Sequence, residues 1–197
     1  MKQLIIKDFI MQWRYLIWHL MYPLFLYMTL IDIKSFYMIM SAIIPVIAIL
    51  KTFNDDKKYD SEVMLNSLPL AKKEIVVAKY IMALIVFVIS MIVSSPVGII
   101  RFTGGVFEFI TTTLVTITGF VFIYLSLVLP ISFWLGYKKS VFITFFILIA
   151  PTAIGTMFFE INMEQIQLYN SLLFISSICM VIVSVFVSIK LYEKREF

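Results

Sequence analysis

Apolar and polar positions alternate along this chain in long blocks. Apolar runs lie at roughly Trp13–Ile31, Phe36–Phe53, Tyr80–Ile100, Phe109–Trp134, Val141–Phe159 and Ser171–Ile189. Crossing a bilayer as a helix takes ~20 residues, within a range of ~17–25. The pattern therefore predicts an all-α polytopic membrane protein with six transmembrane helices, at about 13–31, 36–53, 80–100, 109–134, 141–159 and 171–189, in a single transmembrane domain covering 1–197. The fifth run is the least regular, because Pro151 and Gly155 interrupt it. A continuous span and a re-entrant outer half both stay open there. Pro23, Pro45, Pro96, Pro130 and Pro151 place one proline in each of the first five runs. Each removes a backbone donor and bends its helix, which suits a bundle that opens and closes; membrane helices are also richer in proline generally.

Two polar stretches break this rhythm. Residues Lys2–Arg14 form an amphipathic lead-in, with Ile5, Phe9 and Trp13 on one face and Gln3, Lys7 and Arg14 on another. Such a helix can lie along the inner leaflet before the chain crosses; the plainer reading is an ordinary cytoplasmic start to the first helix. The second stretch is the loop 54–79, which carries ten charged residues between Asn54 and Tyr80. Its first part, Asn54–Lys58, reads as a polar turn. Asp60 or Ser61 can then cap a short helix over Glu62–Leu68, with Glu62 complementing the helix dipole. Val63, Met64, Leu65 and Leu68 give that helix an apolar side, and Pro69 forces a corner after it. From Leu70 a new helix begins with Lys72 and Lys73 and climbs into the third span. A regular helix, a corner and a charged ramp suit a surface that is gripped from the cytoplasm; a solvated loop flanked by ordinary lysines is the bland alternative.

The distribution of charge fixes an orientation. Of 16 Lys and Arg residues, those at positions 2, 7, 14, 51, 57, 58, 72, 73, 79, 138, 139, 190, 194 and 195 fall on one side of the six-span layout, and Lys34 and Arg101 fall on the other. The positive-inside rule places both termini, the 54–79 loop and the Lys138–Lys139 turn in the cytoplasm. Trp13 and Trp134 then sit at the headgroup level, where amphipathic rings are favoured. This asymmetry accounts for the net charge of +4 without a nucleic-acid partner. A composition of 62% apolar and 14% charged residues departs from the ~45–50% and ~25% of soluble domains, and no segment outside the runs is long enough for a soluble domain. A cleaved leader is disfavoured, because the first run exceeds a signal core and Met28–Ser35 offers no small-x-small site. The single cysteine, Cys179, lies within an apolar run and reads as a small apolar filler.

Several activities lack the residues they need. No Asp, Glu, Lys or Arg lies in the middle of a run, where a charge costs about 2.5–3.5 kcal/mol and is kept for function. His19 is the one titratable group at depth, and a lone histidine there reads as a packed residue rather than a proton relay. Proton-coupled carriers and acid-ringed cation channels are disfavoured. There is no HExxH, no Cys/His cluster and no GxxxxGK[ST] phosphate loop, so the chain has no catalytic, metal or cofactor site and cannot hydrolyse ATP by itself.

The segment DSEVMLNSLPLAKKEIVVAKY resembles the cytoplasmic loop of type-2 ABC exporter permeases. That family places an acidic amphipathic helix before a Leu–x–Ser–Leu–Pro element, a basic residue, and Ile–Val–x–x–Lys–Tyr at the start of the third helix. Here these are Asp60–Glu62, Leu65–Asn66–Ser67–Leu68–Pro69, Lys72 or Lys73, and Ile75–Val76–Val77–Ala78–Lys79–Tyr80. The six-span, cytoplasmic-in layout is similar over the whole chain, the motif over about twenty residues; the other loops are minimal for the family. Within that family the chain looks most like the small permeases of the exporter that clears phenol-soluble modulins from staphylococci, and the Lys-over-Arg, Ile- and Phe-rich composition fits a low-GC bacterium.

The resemblance implies the permease subunit of an ATP-driven exporter in a bacterial plasma membrane. A cytoplasmic ABC ATPase, carrying ATP and Mg, would seat the coupling helix formed by Asp60, Ser61, Glu62, Val63, Met64, Leu65, Asn66 and Ser67. A second permease, identical or paralogous, would complete the pathway within membrane lipid. Uncharged, Phe- and Ile-rich spans suit amphipathic peptides or other apolar cargo. The rival class is a non-transporting immunity or sensor-associated membrane protein that binds a toxic peptide.

Overall fold

A computed structural model describes residues 2–27, 33–59, 71–101, 114–158 and 170–194. Those residues form five helices: α1 (Lys2–Tyr27), α2 (Ile33–Lys58), α3 (Lys72–Arg101), α4 (Val115–Phe158) and α5 (Asn170–Glu193). No strand occurs among the described residues. Three helical stretches among them are long and apolar enough to cross a membrane: Lys72–Val93, Val115–Ile147 and Leu172–Glu193. The expected coupling helix, Asp60–Ser67, and the side chain of His19 lie outside the described residues.

α1 joins the lead-in and the first apolar run in one continuous helix. Its faces are arranged for a bilayer rather than for water. Leu4, Asp8 and Gln12, spaced four apart, are buried against the protein, whereas Ile6, Ile10, Trp13, Ile17 and Met21 are exposed. Lipid can cover that apolar stripe, and the polar groups turn inward to find partners.

α2 also runs further than its apolar run implies. Asn54–Lys58, expected as a polar turn, is its last helical turn. Lys57 and Lys58 lie there, where cations complement the dipole, and the amide of Tyr59 still donates to the carbonyl of Asp55 at 3.0 Å. This extra turn carries Asp56 onto the buried side of the bundle. α3 starts at Lys72 with Glu74 in its first turn, and the Glu74 amide donates to the Ala71 carbonyl at 2.8 Å.

α4 holds 44 residues. At 1.5 Å per residue a straight helix of that length would reach about 66 Å, twice the ~30 Å of a hydrocarbon core. Gly136 breaks it, with φ 70° and ψ 175°, a conformation essentially confined to glycine. The arms on either side, 115–135 and 137–158, are each roughly 31–33 Å long, the length of one crossing. Lys138 and Lys139 are exposed just beyond the break. The second arm runs helically to Phe158, past Pro151 and Gly155.

The core gathers where α2, α3, α4 and α5 meet, around Ile49, Phe53, Val76, Phe87, Leu125, Leu129, Phe133 and Tyr192. α4 packs against α5 at Gly119, where a Cβ would collide with the side chain of Leu173. Of the three span-length stretches α5 is the least covered: 17% of its apolar window is buried against the rest of the chain, compared with 56% for α3.

Candidate functional site

Four charged side chains meet at the base of the 54–79 loop. Lys7 and Asp8 come from the second turn of α1, Asp56 from the last turn of α2, and Lys79 from the second turn of α3. The Lys79 ammonium lies 2.5 Å from Asp56 Oδ2 and 3.0 Å from Asp8 Oδ2. That of Lys7 lies 2.7 Å from Asp56 Oδ1 and 3.3 Å from Asp8 Oδ1. Each cation therefore bridges both carboxylates, and each carboxylate uses its two oxygens on different cations. The result is a closed, electrically neutral ring.

Burial makes this ring costly to disturb. The side chains of Asp8 and Asp56 are 4% exposed and that of Lys79 is 6% exposed, while Lys7 is 30% exposed and forms its wet corner. Taking a carboxylate out of water disfavours its charged form, and burial pushes the Asp56 carboxyl up. The ammoniums of Lys79 and Lys7 beside it more than reverse that, so its pKa is held below the usual aspartate value. Gln12, one turn above Asp8, donates from Nε2 to the Ala48 carbonyl at 2.5 Å. α1 is thus stitched to α2 at two successive turns.

The ring connects onward through aromatic side chains. The Lys79 ammonium stands 5.3 Å from the centroid of the Phe53 ring. Phe53 meets Phe133 edge-on at 5.0 Å, and Phe133 meets Tyr192 at 5.3 Å. α4 and α5 are therefore in contact with the same joint. Lys72 adds an outer tie, donating to the Glu193 carbonyl at 3.1 Å.

A second polar network lies one residue further along α3. Tyr80 Oη is 2.6 Å from Ser184 Oγ and 2.8 Å from Ser188 Oγ, and Ser184 Oγ donates to the Ser126 carbonyl at 2.7 Å. Pro130 explains why that carbonyl is open: its missing N–H is the one that would have bonded Ser126. A hydroxyl has one proton, and that of Ser184 is committed to Ser126. Tyr80 must then donate to Ser184, and Ser188 to Tyr80. Pro96 has a similar remedy, as Ser95 Oγ donates to the Ile92 carbonyl at 3.1 Å, the one Pro96 leaves unpaired.

These positions sort the residues singled out in the sequence. Of the Ile75–Tyr80 element, Ile75, Val76 and Ala78 enter the core, Lys79 closes the ion ring and Tyr80 starts the hydroxyl relay. Asp60, Ser61, Glu62, Val63, Met64, Leu65, Asn66 and Ser67 fall outside the described residues. Asp8 and Asp56 were not expected as site residues. The available signals were an acidic side chain on the Leu4–Gln12 face of the lead-in and opposite charges on the two flanks of the loop. Among the described residues no His/Cys/Asp/Glu group could hold a metal ion.

No curated protein and no solved structure matches the chain. A family model does match, over residues 3–193, and by that match the chain belongs to the ABC-2 family of transporter proteins.

Proposed function

We propose that the chain is the permease subunit of an ATP-driven exporter in a bacterial plasma membrane, with six spans and both termini in the cytoplasm. Family membership over nearly the whole chain is the observation that carries this reading. The lengths of the two α4 arms and the charge asymmetry of the loops support the six-span layout. ATP and Mg act in a separate cytoplasmic ABC ATPase, which seats on Asp60–Ser67. A second permease, identical or paralogous, completes the pathway, and membrane lipid covers the exposed apolar faces of α1 and α5. The cargo is an amphipathic peptide or another apolar molecule, as for the modulin exporters that the loop resembles.

Co-purification from native membranes, combined with export of a labelled amphipathic helical peptide, tests the reading. An ATPase should accompany the wild-type chain. Met64→Ala with Leu65→Ala should weaken that association about tenfold or more, since each buried anchor typically contributes ~1–2 kcal/mol, and should abolish export while membrane insertion is retained. A wild-type chain that brings down no ATPase supports the non-transporting alternative instead.

A further inference from the structure

We propose that the Lys7–Asp8–Asp56–Lys79 ring is the joint that passes movement of the 54–79 loop to α1, and that its four members are positioning residues for transport. The inference rests on the reading of this loop as the seat of the ATPase.

Placement carries the argument first. Asp56 lies in the final turn of α2 and Lys79 near the start of α3, so the ring holds both stems of the loop and ties them to a third helix. A force applied between the stems reaches α1 through the Lys7–Asp56 and Lys79–Asp8 bonds, at 2.7 and 3.0 Å. It reaches α4 and α5 through Phe53, Phe133 and Tyr192.

The choice of chemistry carries it second. Well-packed apolar side chains generally hold buried helix faces together as well as an ion ring does, or better. Charges add registry instead, because each ammonium must stay within hydrogen-bond reach of its carboxylates and a slip of one helix breaks named bonds. Finally, the ring has one weak corner. Lys7 reaches water while the other three side chains do not, so the Lys7–Asp56 bond can open and hydrate with the Lys79 bonds still made. A ring with a built-in opening point has two arrangements for the ATPase to choose between.

The test cuts the link without leaving a buried unpaired charge. Lys79→Met with Asp56→Asn removes each ionic bond between α1 and the two stems and leaves Lys7 paired with Asp8 within α1. The permease and its ATPase are reconstituted in proteoliposomes, with retention of the ATPase, ATP turnover and uptake of a fluorescent amphipathic helical peptide into inside-out vesicles as readouts. The expected result is normal retention of the ATPase with continuing ATP turnover, and peptide transport reduced about tenfold or more, within the 5–150-fold range of typical coupling between sites. Lys79→Arg, which keeps the charge, should hold most of the transport. Wild-type transport by the neutral pair overturns the proposal. So does loss of the ATPase from the neutral pair, which would make the ring part of the seat rather than the joint, and so does a Lys79→Arg loss as large as that of the neutral pair. Failure of the wild-type chain to retain an ATPase would strike the reading of the loop itself, and is separately visible.

Discussion

Lys79→Met is the sharpest perturbation of stability that the ring offers. The methionine keeps most of the side-chain volume and removes the charge. Asp8 and Asp56 then share Lys7 alone, and the ring carries a net charge of −1 in a place where the carboxylates are 4% exposed. Removing one partner of a buried ion pair typically costs about 3–5 kcal/mol, mostly because the remaining charge is stranded. The same change at Lys7 also leaves the ring at −1, but it does so at the corner that water reaches, where the Lys7 side chain is 30% exposed, so the uncompensated charge can be hydrated there and the cost should be smaller than for Lys79→Met. Adding Asp56→Asn to Lys79→Met restores neutrality and should recover more than half of the loss. Reversible unfolding by SDS in mixed micelles, followed by tryptophan fluorescence, gives the four free energies of the cycle. A coupling below about 0.5 kcal/mol, the additivity limit for independent sites, would refute the ring as a cooperative unit. So would a Lys7→Met cost equal to that of Lys79→Met.

Three further outcomes follow from the geometry. Gly136→Ala should destabilise the protein by about 1–3 kcal/mol in the same assay, since φ 70° and ψ 175° are strained for any residue with a Cβ; Lys138→Ala, exposed two residues on, should be near neutral. Ser184→Ala should cost about 0.6–1.7 kcal/mol, the range of polar side-chain bonds between membrane helices. It should cost less in a Pro130→Ala background, where the restored N–H can bond the Ser126 carbonyl. The folded pKa of Asp56 lies below its ordinary value of 3.8, so its stabilising contribution is present above that value and is lost as pH falls through the folded pKa. The acid limb of the unfolding midpoint should therefore begin below about pH 4 and flatten in Asp56→Asn; an unchanged limb would remove Asp56 from the linkage.

The helices were legible in the sequence to the extent that apolar runs decide them. Four of the five described helices contain their apolar runs outright or nearly so, while α4 holds the fourth and fifth together. The boundary errors have one cause. Asn54–Lys58 reads as a turn because its residues are polar, yet a helix end facing a protein partner needs no apolar residues when its charges are neutralised. Asp56 meets Lys7 and Lys79, and the helix continues by a turn. The break in α4 lay close to the turn that Lys138 and Lys139 indicate, but its position at Gly136 depends on a backbone torsion that periodicity does not report.

The ring itself was hidden by a rule that holds elsewhere in the chain. Charges beside apolar runs read as groups that flank a membrane and face water, and Lys57, Lys73, Lys138 and Lys139 are indeed exposed. Lys79 differs by its address on the helix. It falls on the same side of α3 as Ile75, Val76, Ala78 and Met82, all buried, so its ammonium must end among neighbouring helices. A buried ammonium requires carboxylates, and the bundle supplies them from α1 and α2. Asp8 obeys the same logic from the opposite direction: Leu4 and Gln12 set its face inward, while Ile6 and Ile10 face out. In a membrane helix the apolar stripe can mark the lipid side and the polar stripe the protein side, and here Asp8 and Gln12 are buried while Ile6, Ile10 and Trp13 are exposed. Reading the polar stripe of the lead-in as an interface would have brought Asp8 toward a cation, and Lys79 is the buried cation that the adjoining helix provides.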